Sequence, residues 1–406
     1  MSRHRASSGP GDAPRLALLS GDVYGQAAQR VPATVVIEGE TIVEVAIGSH
    51  ITDGTARQYE VPGGLISPGL LDLHVHGGGG WPVFTAPDQL RRVGAWLAQR
   101  GVTGFLASVP SLPWAEMVAA CSMLAKACAA GDPPNLLGIH VEGPHLSPRR
   151  PGSQPVANLR VPALVDYQAL RAAAGRSIKV MTIAPELPGA LEVIEACRRD
   201  GVVAALGHSD ATYDQALAGF GAGISHVTHL YNAMRPFHHR APGAVAAALT
   251  HPGITVELIL DGEHVSRGGW DLARTAVGME RICLVSDALP AAGGASSEPA
   301  RTWAGRELTR RGRRLELAGG TLAGSDIALH EAVARAHAWG ATMPAALAAA
   351  STVPARALGL GNQIGRLLPG YRGDLIVTGA RGEVLLTLIA GVRWPPPTRG
   401  AAGLPT

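Results

Sequence analysis

The chain is poor in several features that would assign it to a specialised class of protein. Aromatic residues make up only 4% of its 406 residues, and its four cysteines show no CxxC or Cys/His spacing. Such cysteines predict reduced thiols in a cytoplasmic protein. No apolar run reaches the roughly 18 residues that a membrane span needs. The net charge is only +3, without a long basic run in the body of the chain. We therefore expect neither a membrane nor a nucleic acid as a partner.

The two ends of the chain are polar or rich in proline and glycine. Residues 1–14 lack the apolar segment of a signal peptide, and we expect a disordered tail there. Residues 395–406 predict a second, loose tail. The whole composition, 46% hydrophobic and 17% charged, is that of a globular chain with a large aliphatic core.

What the sequence does contain is a regular alternation of short apolar runs and Ala/Leu-rich segments such as DQLRRVGAWLAQR. The apolar runs number eight: LISPGLLDLHVHG, TGFLASV, LLGIHVEG, IKVMTIAPE, VVAALGHSD, ISHVTHLYN, ITVELILDGEH and ICLVSDAL. Their near-continuous Val, Ile and Leu content is typical of parallel strands that are buried on both faces. Eight strands, each followed by a helix, predict an α/β fold, a (β/α)8 TIM-like barrel over residues 64–361.

The segments that flank this region have a different pattern. Residues 15–63 and 362–394 both contain short alternating runs with polar turns, for example ATVVIEGETIVEVAIG. This pattern predicts antiparallel β-structure. We expect the two segments to pair into one small β-sandwich domain formed from both chain termini.

Side chains suited to metal binding follow five of the eight runs. In such a barrel, catalytic side chains lie where strands end and the following loops begin. The six residues at those points are His74, His76, Glu142, His208, His229 and Asp287. Six residues of this kind on one end of one barrel are difficult to assign to packing, and they predict a metal hydrolase.

The pair His74 and His76 shows how the site could be built. Residues i and i+2 of a strand point to the same side, so both imidazoles face inward and can share one cation. Imidazole and carboxylate ligands suit Zn²⁺ best, with Fe²⁺, Mn²⁺ and Co²⁺ as alternatives. A divalent cation with an open position lowers the pKa of a water ligand, and Asp287 could then move its proton to a leaving amine.

Other polar residues have structural interpretations that we prefer. We expect His140 to form a hydrogen bond rather than to ligate, and His226 not to be a ligand. Lys179 begins the fourth run, too early to provide the carbamylated lysine that bridges two metals in some barrel hydrolases. The loop RPFHHRAPG, with Arg240, is either a solvated basic loop or an anion-binding one.

At these residues the chain resembles the N-acetylglucosamine-6-phosphate deacetylase family of the amidohydrolase superfamily. The resemblance covers most of residues 15–394 and is most specific at HVEGP and THLYNAM, in that order. Other parts are PGLLDLHVHGGGG, ALGHSDAT, LVSDALPAAG and LAGS. The fold that the family implies, a (β/α)8 barrel with a small β-domain from both termini, agrees with the pattern.

The resemblance also implies roles for particular residues. Glu142, His208 and His229 match the family's metal ligands, while His74 and His76 match a second metal site that only some members have. Asp287 matches the general base and acid. The predicted substrate contacts are Asn232 and Ala233, which match a segment that holds the sugar phosphate, and Arg240 and His264, which match phosphate-binding residues that come from the neighbouring subunit of family dimers. A homodimer acting on an amino sugar phosphate is therefore implied.

The chain departs from the family pattern near the expected substrate pocket. The family usually has a histidine after the third strand, where this chain has Gln154, which can donate a hydrogen bond but cannot be cationic. His145 could supply the missing imidazole or merely pack. After LAGS, Asp326 and His330 are new polar groups. The substrate is therefore less firmly implied than the reaction.

Three alternatives follow from these departures. The first is a deacetylase of N-acetylgalactosamine 6-phosphate or of an unphosphorylated N-acyl amino sugar. The second is a cyclic-amide hydrolase such as a dihydroorotase, which would need a bridging carbamylated lysine. The third is a catalytically retired paralogue that senses a sugar phosphate, which the intact ligand set and Asp287 oppose.

Overall fold

The computed structural model describes residues 15–24, 29–48, 57–294, 301–379 and 382–394. Its strands are β1 (Arg15–Tyr24), β2 (Arg30–Glu38), β3 (Thr41–Ile47), β4 (Arg57–Pro68), β5 (Leu70–Val75), β6 (Gly77–Gly78), β7 (Trp81–Pro82), β8 (Val102–Val109), β9 (Leu136–Glu142), β10 (Ile178–Ile183), β11 (Val203–Leu206), β12 (Ile224–Val227), β13 (Thr255–Ile259), β14 (Ile282–Val285), β15 (Arg301–Trp303), β16 (Arg306–Arg311), β17 (Arg314–Leu317), β18 (Leu375–Thr378), β19 (Val384–Ile389) and β20 (Val392–Arg393). Its α-helices are α1 (Pro87–Ala98), α2 (Trp114–Ala130), α3 (Leu164–Ala174), α4 (Ala190–Arg199), α5 (Tyr213–Ala222), α6 (Gly243–Thr250), α7 (Arg267–Val277), α8 (Leu329–Ala338), α9 (Met343–Ala349) and α10 (Thr352–Ala357). Within these residues, no helix is long and apolar enough to cross a membrane.

The eight predicted apolar runs are the strands of one parallel sheet. Its order is β14-β13-β12-β11-β10-β9-β8-β5, and a bridge between Val75 and Ala288 joins the two edge strands. A helix follows each strand, from α1 after β5 to α8 after β14. The predicted (β/α)8 barrel is confirmed. We therefore expect the functional site at the carboxyl end of the barrel.

The barrel helices begin and end at recognisable signals and bury one apolar face. Helix α5 begins with a capping box, in which Thr212 accepts from the backbone N–H of Gln215 and the Gln215 side chain accepts from that of Thr212. Helix α7 begins at Ser266, which caps the N–H of Gly269. These short helices owe most of their stability to packing against the sheet, and Trp270 of α7 is completely buried.

Strands from both ends of the chain form a second sheet of seven strands, in the order β20-β19-β18-β4-β1-β2-β3. It has its own apolar cluster, which includes Val35, Ile37, Leu375 and Leu388. The prediction of purely antiparallel pairing was wrong at one place, because β1 pairs with β4 in parallel. Alternating hydrophobicity identifies a strand but not its direction, since the same residues face the core in either pairing.

We propose that this sheet and the barrel are two domains, 15–63 with 362–394 and 64–361. Strand β4 of the seven-stranded sheet runs beyond residue 63 to Pro68, and the chain then passes directly into β5 of the barrel. The predicted tails, 1–14 and 395–406, lie outside the described residues.

The largest unpredicted insertion between residues 64 and 361 is a small sheet. After β14 the strands β15, β16 and β17 form an antiparallel three-stranded sheet. Its apolar side chains pack with the loop that follows β14, in a cluster that contains Leu289, Trp303, Leu308 and Leu315. This insertion lies over the carboxyl end of the barrel.

Candidate active site and metal centre

The six residues that the sequence places at strand ends lie together at the carboxyl end of the barrel. All six are buried, with at most 7% of the residue surface exposed. They form two groups, and within each group the potential ligand atoms lie within 4.8 Å of one another. The groups are Glu142, His208 and His229, and His74, His76 and Asp287.

Glu142 is the centre of the first group. Its Oε1 lies 3.0 Å from Nε2 of His208 and 3.1 Å from Nε2 of His229. The two imidazole nitrogens are themselves 3.0 Å apart. Because Glu142 ends β9 and the two histidines follow β11 and β12, the barrel fixes their spacing.

The second group shares the carboxylate of Glu142. Nε2 of His76 lies 3.1 Å from Oε2 of Glu142, and Nε2 of His74 lies 3.4 Å from Oε1. The same two nitrogens lie 3.4 and 3.5 Å from Oδ1 of Asp287. The two groups are therefore adjacent, with Glu142 between them.

The hydrogen bonds around the imidazoles fit a bound cation. Nδ1 of His76 donates to the carbonyl oxygen of Ser108 at 3.1 Å, and Nδ1 of His208 donates to that of Arg150 at 3.2 Å. A neutral imidazole that donates through Nδ1 carries its lone pair on Nε2. Nε2 of His76 faces the carboxylates of Glu142 and Asp287, and Nε2 of His208 faces Glu142 and Nε2 of His229. A cluster in which acceptors face acceptors is the arrangement that a divalent cation stabilises.

The charged groups of the cluster shift one another's pKa values. Burial disfavours the protonated form of His74, but the carboxylates of Asp287 and Glu142 outweigh it and raise the pKa of His74 well above its ordinary value. Burial would raise the pKa of Glu142, yet His74, His208 and His229 hold that pKa well below its usual range. Glu142 is therefore ionised, as a metal ligand must be.

The backbone at three of these residues is in the left-handed region. The φ angles are 47° at His208, 31° at His229 and 49° at Asp287. Such conformations cost on the order of 1–3 kcal/mol each and persist only where the surrounding structure enforces them. At Gly207 a Cβ atom would lie 2.6 Å from Cγ2 of Thr182, so the turn into His208 needs glycine. Strain concentrated at these residues agrees with a functional site.

A cavity of about 190 Å³ lies against the two groups. Three of the predicted substrate contacts, Asn232, Ala233 and His264, line it beside Asp287, so His264 faces the cavity of its own chain and not, as predicted, that of a neighbouring subunit. Nδ1 of His264 donates to Oδ2 of Asp261 at 2.6 Å. Burial opposes the protonation of His264, but Asp261 outweighs it and raises the pKa of His264. His264 therefore gives one wall of the cavity an imidazole that is readily protonated and can form hydrogen bonds.

The unpredicted insertion forms another wall of the cavity. Trp303 lines it together with Thr321 and Leu322, and the Trp303 ring centroid lies 4.7 Å from that of His76. Nε1 of Trp303 donates to Oγ of Ser153 at 3.2 Å, which joins the insertion to the loop after β9. The alternating stretch RELTRRGRRLEL, with a glycine turn at its centre, was the sequence signal for this hairpin.

Gln154, which the sequence suggested as a substrate contact, forms a hydrogen bond to the carboxylate of Glu142. Its Nε2 donates to Oε2 of Glu142 at 2.5 Å, and its Oε1 accepts from the N–H of Ser111 at 2.8 Å. Both ends of the amide are thus occupied, and Gln154 is not among the residues that line the cavity.

His145 and Arg240 also lie outside the lining of this cavity in the described part of the chain. His145 is completely buried, and its Nδ1 donates to the carbonyl oxygen of Arg160 at 3.3 Å. Arg240 is on an exposed loop, where its guanidinium lies 2.9 Å from Nε2 of His239. The roles of both residues toward a substrate stay predictions.

The remaining candidates are explained by hydrogen bonds inside the barrel. His140 contacts the hydroxyl groups of Ser108 and Thr182, at 3.2 and 2.7 Å. Lys179 lies near the amino end of β10, at the opposite end of the strand from the metal centre. Glu257, a buried carboxylate that contacts His226, was not predicted. The signal for it was a charged residue inside the apolar run TVELI.

Comparisons with known proteins agree with this site. The sequence profile of the Amidohydrolase family matches residues 65–393. An N-acetylgalactosamine-6-phosphate deacetylase of Escherichia coli O157:H7 is 36% identical over 77% of this chain and 83% of its own length. An N-acetylglucosamine-6-phosphate deacetylase of Bacillus subtilis is 34% identical over 83% of this chain and 86% of its own.

A solved structure of similar fold carries a bound sugar phosphate. The N-acetyl-D-glucosamine-6-phosphate deacetylase of Mycobacterium smegmatis, in complex with N-acetyl-D-glucosamine-6-phosphate, matches with a TM-score of 0.88 and 31% identity. The match covers 94% of this chain and 99% of that one. The chain belongs to the amidohydrolase family and, within it, to the N-acetylglucosamine-6-phosphate deacetylases.

Proposed function

We propose that this enzyme hydrolyses the N-acetyl group of N-acetylglucosamine 6-phosphate to give acetate and glucosamine 6-phosphate. The observation that carries the proposal is the cavity in which Asp287 and the two ligand groups face Asn232, Ala233 and His264. The relatives that share this fold over most of its length act on the same class of N-acetyl amino sugar phosphate, according to their names.

The residues of the site suit amide hydrolysis. A divalent cation, when bound by the two groups, would polarise the amide carbonyl and make water a better nucleophile. Asp287 borders both the cavity and His76, where it can accept the proton of the attacking water. It then delivers that proton to the amide nitrogen as the C–N bond breaks, so that acetate and an amine leave. The buried walls exclude other water from the reacting centre.

We propose Zn²⁺ as the resident cation. Imidazole nitrogens and carboxylate oxygens are donors that Zn²⁺ prefers, and Fe²⁺, Mn²⁺ and Co²⁺ accept the same set. The two adjacent groups would hold one such ion or two.

N-acetylgalactosamine 6-phosphate is the second candidate substrate. The Escherichia coli relative that carries this substrate in its name is slightly more similar to the chain than the Bacillus subtilis relative, at 36% against 34% identity. The two sugars differ only in the configuration at C4, so one polar contact could decide between them.

Acetate release from three substrates offered separately tests this assignment. The metal-loaded enzyme should turn over N-acetylglucosamine 6-phosphate fastest, its galactosamine epimer more slowly and unphosphorylated N-acetylglucosamine least. Preference for the epimer would move the substrate to the second candidate. No turnover of any of them by metal-loaded protein would favour a retired sugar-phosphate-binding paralogue.

We also propose a cytoplasmic homodimer in which Arg240 reaches the phosphate bound by the neighbouring subunit. The exposed position of Arg240, away from the cavity of its own chain, supports this arrangement. The four cysteines, all free, support a reducing compartment.

Replacing Arg240 with alanine should raise KM for the phosphorylated substrate by about 10- to 100-fold, with kcat much less affected. The reason is the loss of a charge-assisted hydrogen bond, which contributes about 1.5–3 kcal/mol to binding. Steady-state kinetics measure this effect, and Arg267→Ala on the exposed side of α7 is the matched control. An unchanged KM would contradict the phosphate role of Arg240.

A further inference from the structure

Glu257 is a charged side chain in the interior of the barrel, below the metal centre. It lies on β13 and is completely buried. Its Oε2 lies 3.2 Å from Nδ1 of His74 and accepts from the backbone N–H of His229 at 3.1 Å. Its Oε1 lies 3.0 Å from Nε2 of His226. These three hydrogen bonds join the carboxylate to His74 on β5, His226 on β12 and His229 in the loop that follows β12.

The contact with His74 fixes the tautomer of that imidazole. An ionised carboxylate can only accept, so Nδ1 of His74 carries the proton. Its Nε2 faces Glu142 and Asp287, and its lone pair would be available there to a cation that replaces the second proton. A carboxylate behind a histidine is also the arrangement that raises the basicity of a metal-ligating imidazole.

The contact with His229 fixes the backbone instead of the ring. The N–H of His229 belongs to a residue whose φ of 31° lies in the left-handed region, where the conformation must be held by its surroundings. Among the described residues, Nδ1 of the His229 ring has no hydrogen-bond partner. The orientation of this ring therefore depends on the backbone of His229, and Glu257 holds that backbone through its N–H.

We infer that Glu257 is a positioning residue that orients one metal-ligating histidine in each ligand group, His74 in one and His229 in the other, and so couples the two groups. The inference rests on the metal-binding part of the proposed function. His226 supplies the remaining donor that a buried carboxylate needs. In this view the pair Glu257 and His226 does not touch the substrate and acts only through His74 and His229.

Metal binding by Glu257→Gln tests the inference, because the amide has nearly the same shape without the charge. Metal-free protein is titrated with Zn²⁺ in a metal buffer, and bound metal is counted by mass spectrometry of the digested sample. We expect Zn²⁺ affinity to fall by about 10- to 100-fold. We also expect the visible absorption of the Co²⁺-loaded variant to differ from that of the wild type, since the geometry at both groups changes.

The matched control is Cys283→Ala. Cys283 is completely buried on β14 and is the register partner of Glu257, but it makes no hydrogen bond to a ligand. This variant perturbs the same layer of the barrel and should keep both the affinity and the Co²⁺ spectrum. Wild-type affinity and spectrum in Glu257→Gln, or an equal loss in Cys283→Ala, would overturn the inference.

Two further observations keep the test decisive. If circular dichroism shows that Glu257→Gln does not fold, the Glu257→Asp variant is used instead. Its side chain keeps the charge but is shorter, so its Zn²⁺ affinity should also be weakened. Failure of both variants to fold would assign Glu257 a structural role only. Wild-type protein that binds metal but hydrolyses no N-acetyl sugar contradicts the proposed function without touching this result, whereas wild-type protein that binds no metal contradicts both.

Discussion

Asp287→Asn is expected to lower the rate of acetate release by about 10²- to 10⁴-fold, the usual contribution of a general acid–base group. Asparagine has the shape of aspartate and keeps an oxygen near His74 and His76, but it cannot accept the proton of the attacking water. The loss should appear in kcat, with KM for the sugar phosphate nearly unchanged, because proton transfer occurs only after the substrate has bound.

The control for this variant is Asp214→Asn, the same chemical change on the exposed first turn of α5. Metal content must be measured beside the rate, since Asp287 also belongs to the second ligand group. A variant that keeps its metal and loses its rate supports proton transfer by Asp287. A fully active variant would remove Asp287 from the mechanism.

The barrel and the ligand set could be predicted because both depend on local patterns. A buried parallel strand is visible as an apolar run, and its end is visible as the first polar residue. Since the carboxyl ends of all the strands meet at one end of a barrel, residues as distant in sequence as His74 and Asp287 are brought together without any further information.

Features that depend on pairing across long distances could not be predicted in the same way. The parallel pairing of β1 with β4 is decided by the path of the chain between them and not by the residues of either strand. The sheet of β15, β16 and β17 is different, because its pairing is local and its alternating pattern is visible in the sequence; what the pattern does not give is where this insertion packs on the barrel.

The direction in which an amide points could not be read from sequence either. Gln154 occupies the position where a substrate contact was expected, yet its two ends are held by Glu142 and Ser111. Whether a polar side chain faces the cavity or the metal ligand behind it depends on distances of a few ångströms. The role of Glu257 could not be predicted either. A charged residue within an apolar strand is visible in the sequence, but no local pattern predicts its partners.

Glu142→Gln is the second variant with a large expected effect, because one carboxylate serves both ligand groups. Oε1 lies 3.0 and 3.1 Å from the first pair of imidazoles, and Oε2 lies 3.1 Å from His76. The amide replaces one acceptor oxygen with an NH₂ group and removes the negative charge. We expect metal affinity to fall by more than about 100-fold, beyond the effect of changing a residue behind a ligand. Acetate release should fall with it.

The comparison that isolates this effect is Glu263→Gln, an exposed carboxylate beside the cavity residue His264. Zinc content after dialysis and the rate at saturating substrate are measured for both variants. Adding metal in large excess should restore part of the rate of Glu142→Gln, because the imidazoles of both groups remain in place. If Glu142→Gln retained wild-type zinc content, the carboxylate would not be the shared ligand. His74 and His76 would then have to bind their cation without it, and the two groups would be independent sites.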